Sequence, residues 1–157
     1  MKRIGLGLAL ALGAWAGCGP SAPERAPDPA TLQSAVEALL TRSAESWNGG
    51  DLDGFLYWYR RSPETTYIGG RGLVRGWDEI RARYAPLFEP GAVRDSLRFE
   101  GLSTHPLGPG LGLATAHYVL FQGDSVTSTG IFTLIVRDLP EGWRIVHDHS
   151  SALPLQR

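Results

Sequence analysis

From Asp95 to Ser150 the chain reads as four consecutive strands, about Asp95 to Thr104, Leu111 to Gln122, Ser125 to Asp138 and Gly142 to Ser150. Gly- and Pro-rich turns separate them at "HPLGPG", "QGD" and "LPEG". Connections this short make neighbouring strands pair as an antiparallel meander. Such a sheet must bury one face, so the residues before Asp95 have to supply a cover.

Those residues read as helices. Asp28-Pro29 is a helix start, with Asp as N-cap and Pro at the first helical position, where its missing N–H does no harm. Leu32, Val36, Leu39, Leu40, Ser43 and Trp47 then recur at three- and four-residue intervals as one apolar stripe. Asn48-Gly49-Gly50 ends this helix, and Asp51 caps a shorter one with Leu52, Phe55, Leu56 and Tyr59 inward. Pro63 lies beyond its end. Thr65 to Ile68 and Leu73 to Arg75 form two short strands around the Gly69-Gly70 turn. A third helix starts at about Trp77, with Ile80, Tyr84 and Leu87 on one face and Asp78 and Glu79 in its first turn, where the helix dipole favours them. Pro90-Gly91 closes it. The order α-α-β-β-α-β-β-β-β predicts an α+β domain in which three helices pack on a curved, mostly antiparallel sheet.

With 157 residues the chain has room for one such domain. Lys2 and Arg3 precede an apolar run from Ile4 to about Ala16, the order of a bacterial export signal, and the run is too short and glycine-rich for a spanning helix. Cys18, the only cysteine, follows Ala16-Gly17 in a sequence that resembles the lipobox of bacterial lipoproteins, although Trp15 stands where that family usually has Leu. The alternative is ordinary cleavage after the small-x-small triplet Ala14-Trp15-Ala16. Residues 1–17 are therefore expected to be a signal peptide and 18–29 a lipidated Cys with a Pro-rich tether. The domain then covers 30–152 and a tail covers 153–157. The expected location is the periplasmic face of a bacterial membrane, or a soluble exported form. With one cysteine, the mature protein is expected to have no disulfide in either case. From Cys18 onward thirteen Arg face sixteen acids, 13 − 16 = −3, with no Lys, so nucleic acid is not an expected partner.

The element order, together with "NGGDLDGFLYWY", "VRGWDEIRARY" and the terminal "GWRIVHDHSS", resembles the nuclear transport factor 2-like superfamily, which includes ketosteroid isomerases, SnoaL-like polyketide cyclases and the association domain of calcium/calmodulin-dependent protein kinase II. Within it the chain is similar to a bacterial branch of unknown function with the same style of ending, related to that association domain. The resemblance covers nearly all of residues 30–152 and implies a cone-shaped α+β barrel with a cavity inside. The isomerase residues do not carry over. The place of the general base falls on Tyr67 or Thr66, and those of the oxyanion donors on about Ser43 and Thr133. Steroid isomerisation is therefore not expected, because proton abstraction beside a carbonyl needs a base and donors aimed at the enolate.

Strict alternation in the last strand puts Trp143, Ile145, His147 and His149 on one side and Arg144, Val146, Asp148 and Ser150 on the other. Similarity to the association domain implies that Asp148 and Ser150 face the cavity and that His147 and His149 lie on the outer face, often a dimer interface in this superfamily. It also implies that His117 points inward with Thr115, Val119 and Phe121. The expected cavity residues are then Trp47, Tyr59, Tyr67, Tyr84, His117, Thr133, Asp148 and Ser150. His117 and Asp148 could form a titratable pair for proton transfer, bridged by substrate or water; equally, they could be satisfied polar groups in a vestigial pocket. The aromatic residues serve core packing as readily as a ligand platform. His147 and His149 at i and i+2 are a weak metal alternative lacking a third ligand, with His105 assigned to a Pro/Gly loop. Arg71 and Arg75 are read as a solvated rim.

The leading expectation is an exported, lipid-anchored domain that binds a small, partly apolar molecule in its cavity and associates as a homodimer, with no cofactor and no metal. The alternatives are an enzyme of the cyclase, isomerase or dehydratase kind using His117 and Asp148, and an assembly module without a ligand.

Overall fold

The computed structural model describes residues 25–155. The expected signal peptide, Cys18 and most of the tether, together with the last two residues, lie outside the described residues. Helix α1 (Pro29–Gly49) starts as the sequence predicts: the Asp28 carboxylate accepts from the Thr31 N–H at 3.0 Å, and Gly50 ends the helix with φ 79°. All six residues of the predicted stripe are buried along it. Helix α2 (Leu52–Leu56) is capped by Asp51, which accepts from the Gly54 N–H at 2.9 Å. Strands β1 (Thr66–Gly69) and β2 (Gly72–Arg75) form a hairpin, and α3 (Trp77–Tyr84) continues into a 3₁₀ turn, Ala85–Phe88. The meander follows as β3 (Ser96–Gly108), β4 (Leu111–Gln122), β5 (Ser125–Leu139) and β6 (Gly142–Leu153). Among the described residues no helix is long and apolar enough to cross a membrane.

The six strands form one sheet in the order β2-β1-β6-β5-β4-β3. Every pairing is antiparallel except β1 with β6, which sets Tyr67 directly beside Asp148. The segment after α2 joins the same edge: Ile145 N–H donates to the Trp58 carbonyl at 2.8 Å and Arg60 N–H to the Ile145 carbonyl at 2.9 Å. Tyr59 is thereby held against β6.

Three boundaries differ from the sequence reading: α3 gives way to the 3₁₀ turn after Tyr84, short of the expected stop at Pro90-Gly91, and two strands run longer than expected. His105 lies in β3, paired with Leu113, rather than in a loop. Pro106 follows it inside the strand because β3 is the outer edge of the sheet, where a missing N–H breaks no ladder. Strand β6 runs to Leu153, three residues beyond the expected Ser150.

Helix α1 lies on the inner face of the meander. Gly112 in β4 sits under Leu32 so closely that a Cβ would come 2.7 Å from its Cδ1 atom. Ala114 and Ala116 continue this small-residue track and are buried. At the other end of α1, the Asn48 side chain behaves as a short strand, accepting from Leu97 N–H at 2.7 Å and donating to its carbonyl at 2.9 Å. Trp47 Nε1–H donates to the Asp95 carbonyl at 2.8 Å. The helix is thus pinned to the start of β3, and Trp47 is fixed over one end of the sheet.

Candidate functional site

Between the helices and the concave face of the sheet lies a cavity of about 280 Å³. One wall is aromatic. Trp47 from α1 meets Phe55 edge-on at a centroid distance of 5.0 Å, Phe55 meets Tyr84 at 5.1 Å, and Tyr84 meets Tyr67 at 5.6 Å. Such tilted contacts suit the ring quadrupoles and lock each ring against the next. The sheet supplies Phe99, Tyr118, Phe132 and Ile145. Lining residues that reach solvent, Gly70, Leu87 and Ala152, mark the mouth.

Asp148 is the one acid among the lining residues, and no Lys, Arg or His stands among them. Its side chain is buried, with 6% of the residue exposed. Tyr59 Oη–H donates to its Oδ2 at 2.6 Å and Ser150 Oγ–H to its Oδ1 at 3.1 Å. Burial pushes the carboxyl up to about 6, against the opposing pull of those two hydroxyls and of nearby His149. The phenols respond in kind. Burial first, and then the Asp148 charge, hold Tyr59 and Tyr84 well above the ordinary phenol value. Tyr67 is raised by burial as well. The site therefore combines a carboxyl that changes charge near pH 6 with hydroxyls that stay protonated.

Trp47, Tyr59, Tyr67, Tyr84, Asp148 and Ser150 all line the cavity. His117 does not. It is exposed on the outer face, opposite Glu100 and Ile131, while Ala116 and Tyr118 on either side of it face inward. The face of β4 is decided at Gly112, Ala114 and Ala116, the small residues that admit α1. Thr133 also lies outside, paired with Thr115 and His149, and its neighbours Phe132 and Leu134 line the cavity instead. The His117–Asp148 pair is thus separated by the sheet itself, and no proton passes between the two through a shared ligand.

Strict alternation fails in β6. A bulge at Val146 shifts the register, since Ile135 pairs with His147 but Val136 with Ile145. Ile145 therefore shares the cavity face with Asp148 and Ser150, and Arg144 turns the other way to lie 4.5 Å over Tyr57 and 5.7 Å from Trp58. His147 and His149 are on the outer side, where His147 Nδ1 meets Thr66 Oγ1 at 2.7 Å and burial lowers the imidazole from its usual value. Among the described residues, no group of three or more His, Cys, Asp or Glu side chains comes together as a metal site.

Sequence reasoning missed Tyr118. Its ring lies over Gly130, where a Cβ would collide with the ring and with the Ser151 carbonyl. A glycine inside a predicted strand is the signal that a large side chain crosses there.

Residues 36–156 match the family described as the SnoaL-like domain. Among solved structures, the chain is similar to a nuclear transport factor 2-like protein of unknown function from Shewanella oneidensis, with 28% identity and a TM-score of 0.68 over 76% of this chain and 98% of that one. A nuclear transport factor 2-like superfamily protein from Salmonella enterica shares 22% identity, with a TM-score of 0.63 over 82% and 95% of the two chains. A candidate dehydratase of the same family from Streptomyces avermitilis shares 18% identity, with a TM-score of 0.67 over 82% and 100%. No curated protein matches the chain.

Proposed function

The chain belongs to the SnoaL-like domain family, within the nuclear transport factor 2-like superfamily, and on that premise we propose that it binds one small, mostly apolar molecule in the cavity, with Asp148 as the polar anchor. The observation that carries this reading is the cavity's make-up: an aromatic wall around a single buried carboxyl, open to solvent at Gly70, Leu87 and Ala152. Small-molecule sites have this composition, apolar lining with few convergent polar groups. A pure assembly module has no use for it, and Trp47 and Tyr84 form walls here rather than a plug.

A catalytic reading rests on Asp148 alone, since His117 faces away. A carboxyl that titrates near 6 suits general acid–base work at neutral pH. The Streptomyces protein shares the fold and no more than that. Binding is the function proposed; proton transfer by Asp148 is the second reading.

The N-terminal residues support export and attachment through Cys18, and the outer sheet face, with exposed Ile131 and Leu153, supports a homodimer. Native mass spectrometry of the purified protein tests the central proposal. A stoichiometric bound small molecule is expected. A bare protein mass, with no thermal shift from any member of a broad library of apolar compounds, would contradict it.

A further inference from the structure

We propose that the molecule held in the cavity is a cation, an alkylammonium or quaternary ammonium compound, with its charge against the Asp148 carboxylate and its carbon body against the aromatic rings. This rests on the reading of the cavity as a small-molecule site and names the ligand's charge and class.

The first ground is an uncompensated charge. A buried carboxylate normally has a cationic partner, because hydroxyl donors recover only part of the lost hydration. Asp148 has two hydroxyl donors, and none of the salt bridges among the described residues includes it. Nor does the cavity supply a cation. The guanidinium of Arg94 is occupied outside it, donating to the carbonyls of Trp47 and Leu87 at 3.0 Å each. Arg83 stands 5.9 Å from the Tyr67 ring centre and does not line the cavity. An arriving ammonium would complete the pair.

The second ground is the wall. Ring faces attract cations through their quadrupoles, most strongly when water is excluded, and an aromatic enclosure is the usual device for holding quaternary ammonium groups. Trp47, Phe55, Tyr59, Tyr67 and Tyr84 line the same cavity as Asp148, with Tyr59 and Tyr67 directly beside it. A ligand carboxylate or phosphate would meet the like charge of Asp148 with no arginine, lysine or histidine in the lining to receive it.

The same geometry makes binding depend on pH. The groups that face Asp148 are the hydroxyls of Tyr59, Tyr67 and Tyr84 from three other elements and Ser150 from its own strand, with His149 acting from the outer side. The tyrosines keep their protons through the neutral range, so Asp148 sets the dependence. Its carboxyl lies at about 6, and a bound cation pulls it lower. Affinity for the cation is then full above that value and falls as the carboxyl takes up a proton below it.

Two probes of one shape separate the possibilities: benzyltrimethylammonium and its uncharged carbon isostere neopentylbenzene, followed by quenching of tryptophan fluorescence at pH 8 and pH 5. At pH 8 the cation is expected to bind at least about tenfold tighter than the isostere. At pH 5 that advantage should shrink by roughly five- to tenfold, since only about a tenth of Asp148 is still ionised in the protein without the cation. The isostere should be indifferent to pH. In Asp148→Asn the charge preference should vanish at both pH values while neopentylbenzene still binds, and the pH arm on the unaltered protein carries the test if that variant misfolds. Equal or tighter binding of neopentylbenzene at pH 8 would overturn the charge assignment and leave the binding site standing. Failure of both probes to bind would overturn both.

Discussion

Asp148 concentrates the energetic tension of the molecule. Its carboxyl lies near 6 in the folded protein and at 3.8 in a solvated chain. Between those values the unfolded chain has already lost its proton while the folded one keeps it, so stability falls as pH rises from about 4 to about 6 and stays lowered above that. The size of the loss is roughly 3 kcal/mol. Asp148→Asn removes it. In paired urea denaturations, the variant should gain on the parent by about 2–3 kcal/mol between pH 4 and pH 7. His147, held below its usual value, contributes stability that is lost as pH falls below its unfolded value, and it cancels from the comparison because both proteins carry it. A constant difference across this range would show that Asp148 is solvated. Neither the burial nor the hydroxyl partners of this residue could be read from "HDHS" alone, because Tyr59 arrives from a segment 89 positions away.

At the level of elements, what was legible followed from periodicity and punctuation. The α1 stripe, its Asp28 and Gly50 ends, and the limits of β4 all stand where the residues put them. The facing of strands was less legible. In "LGLATAHYVLFQ" both faces carry apolar residues, so alternation alone does not say whether His117 or Tyr118 goes inside. The decision comes from α1, which needs Gly112, Ala114 and Ala116 beneath it. The Val146 bulge is likewise invisible in the sequence, yet it puts Ile145 and Asp148 on the same face. Gly130 tests this packing. In Gly130→Ala the new methyl would strike the Tyr118 ring and the backbone carbonyl of Ser151, and backbone cannot move aside as a side-chain tip can. A loss of about 2–3 kcal/mol is expected in urea denaturation, with reduced ligand-probe binding as Tyr118 is pushed into the cavity. A variant as stable as the parent would mean that Tyr118 does not cross β5 there.

For the whole molecule, the sheet order is what creates a site. The β1–β2 hairpin adds to β6 beyond the meander, so Tyr67 comes beside Asp148, and the three helices lie over one concave face. Each element contributes little: an aromatic ring or two, one acid, a hydroxyl. Their convergence gives a largely apolar cavity with one carboxyl and no Lys, Arg or His in its lining. The most direct test of this account is a ¹³C NMR titration of the Asp148 side-chain carboxyl in ligand-free protein. The account predicts a midpoint near 6, falling when benzyltrimethylammonium is added. A midpoint near 4, unmoved by that cation, would contradict it.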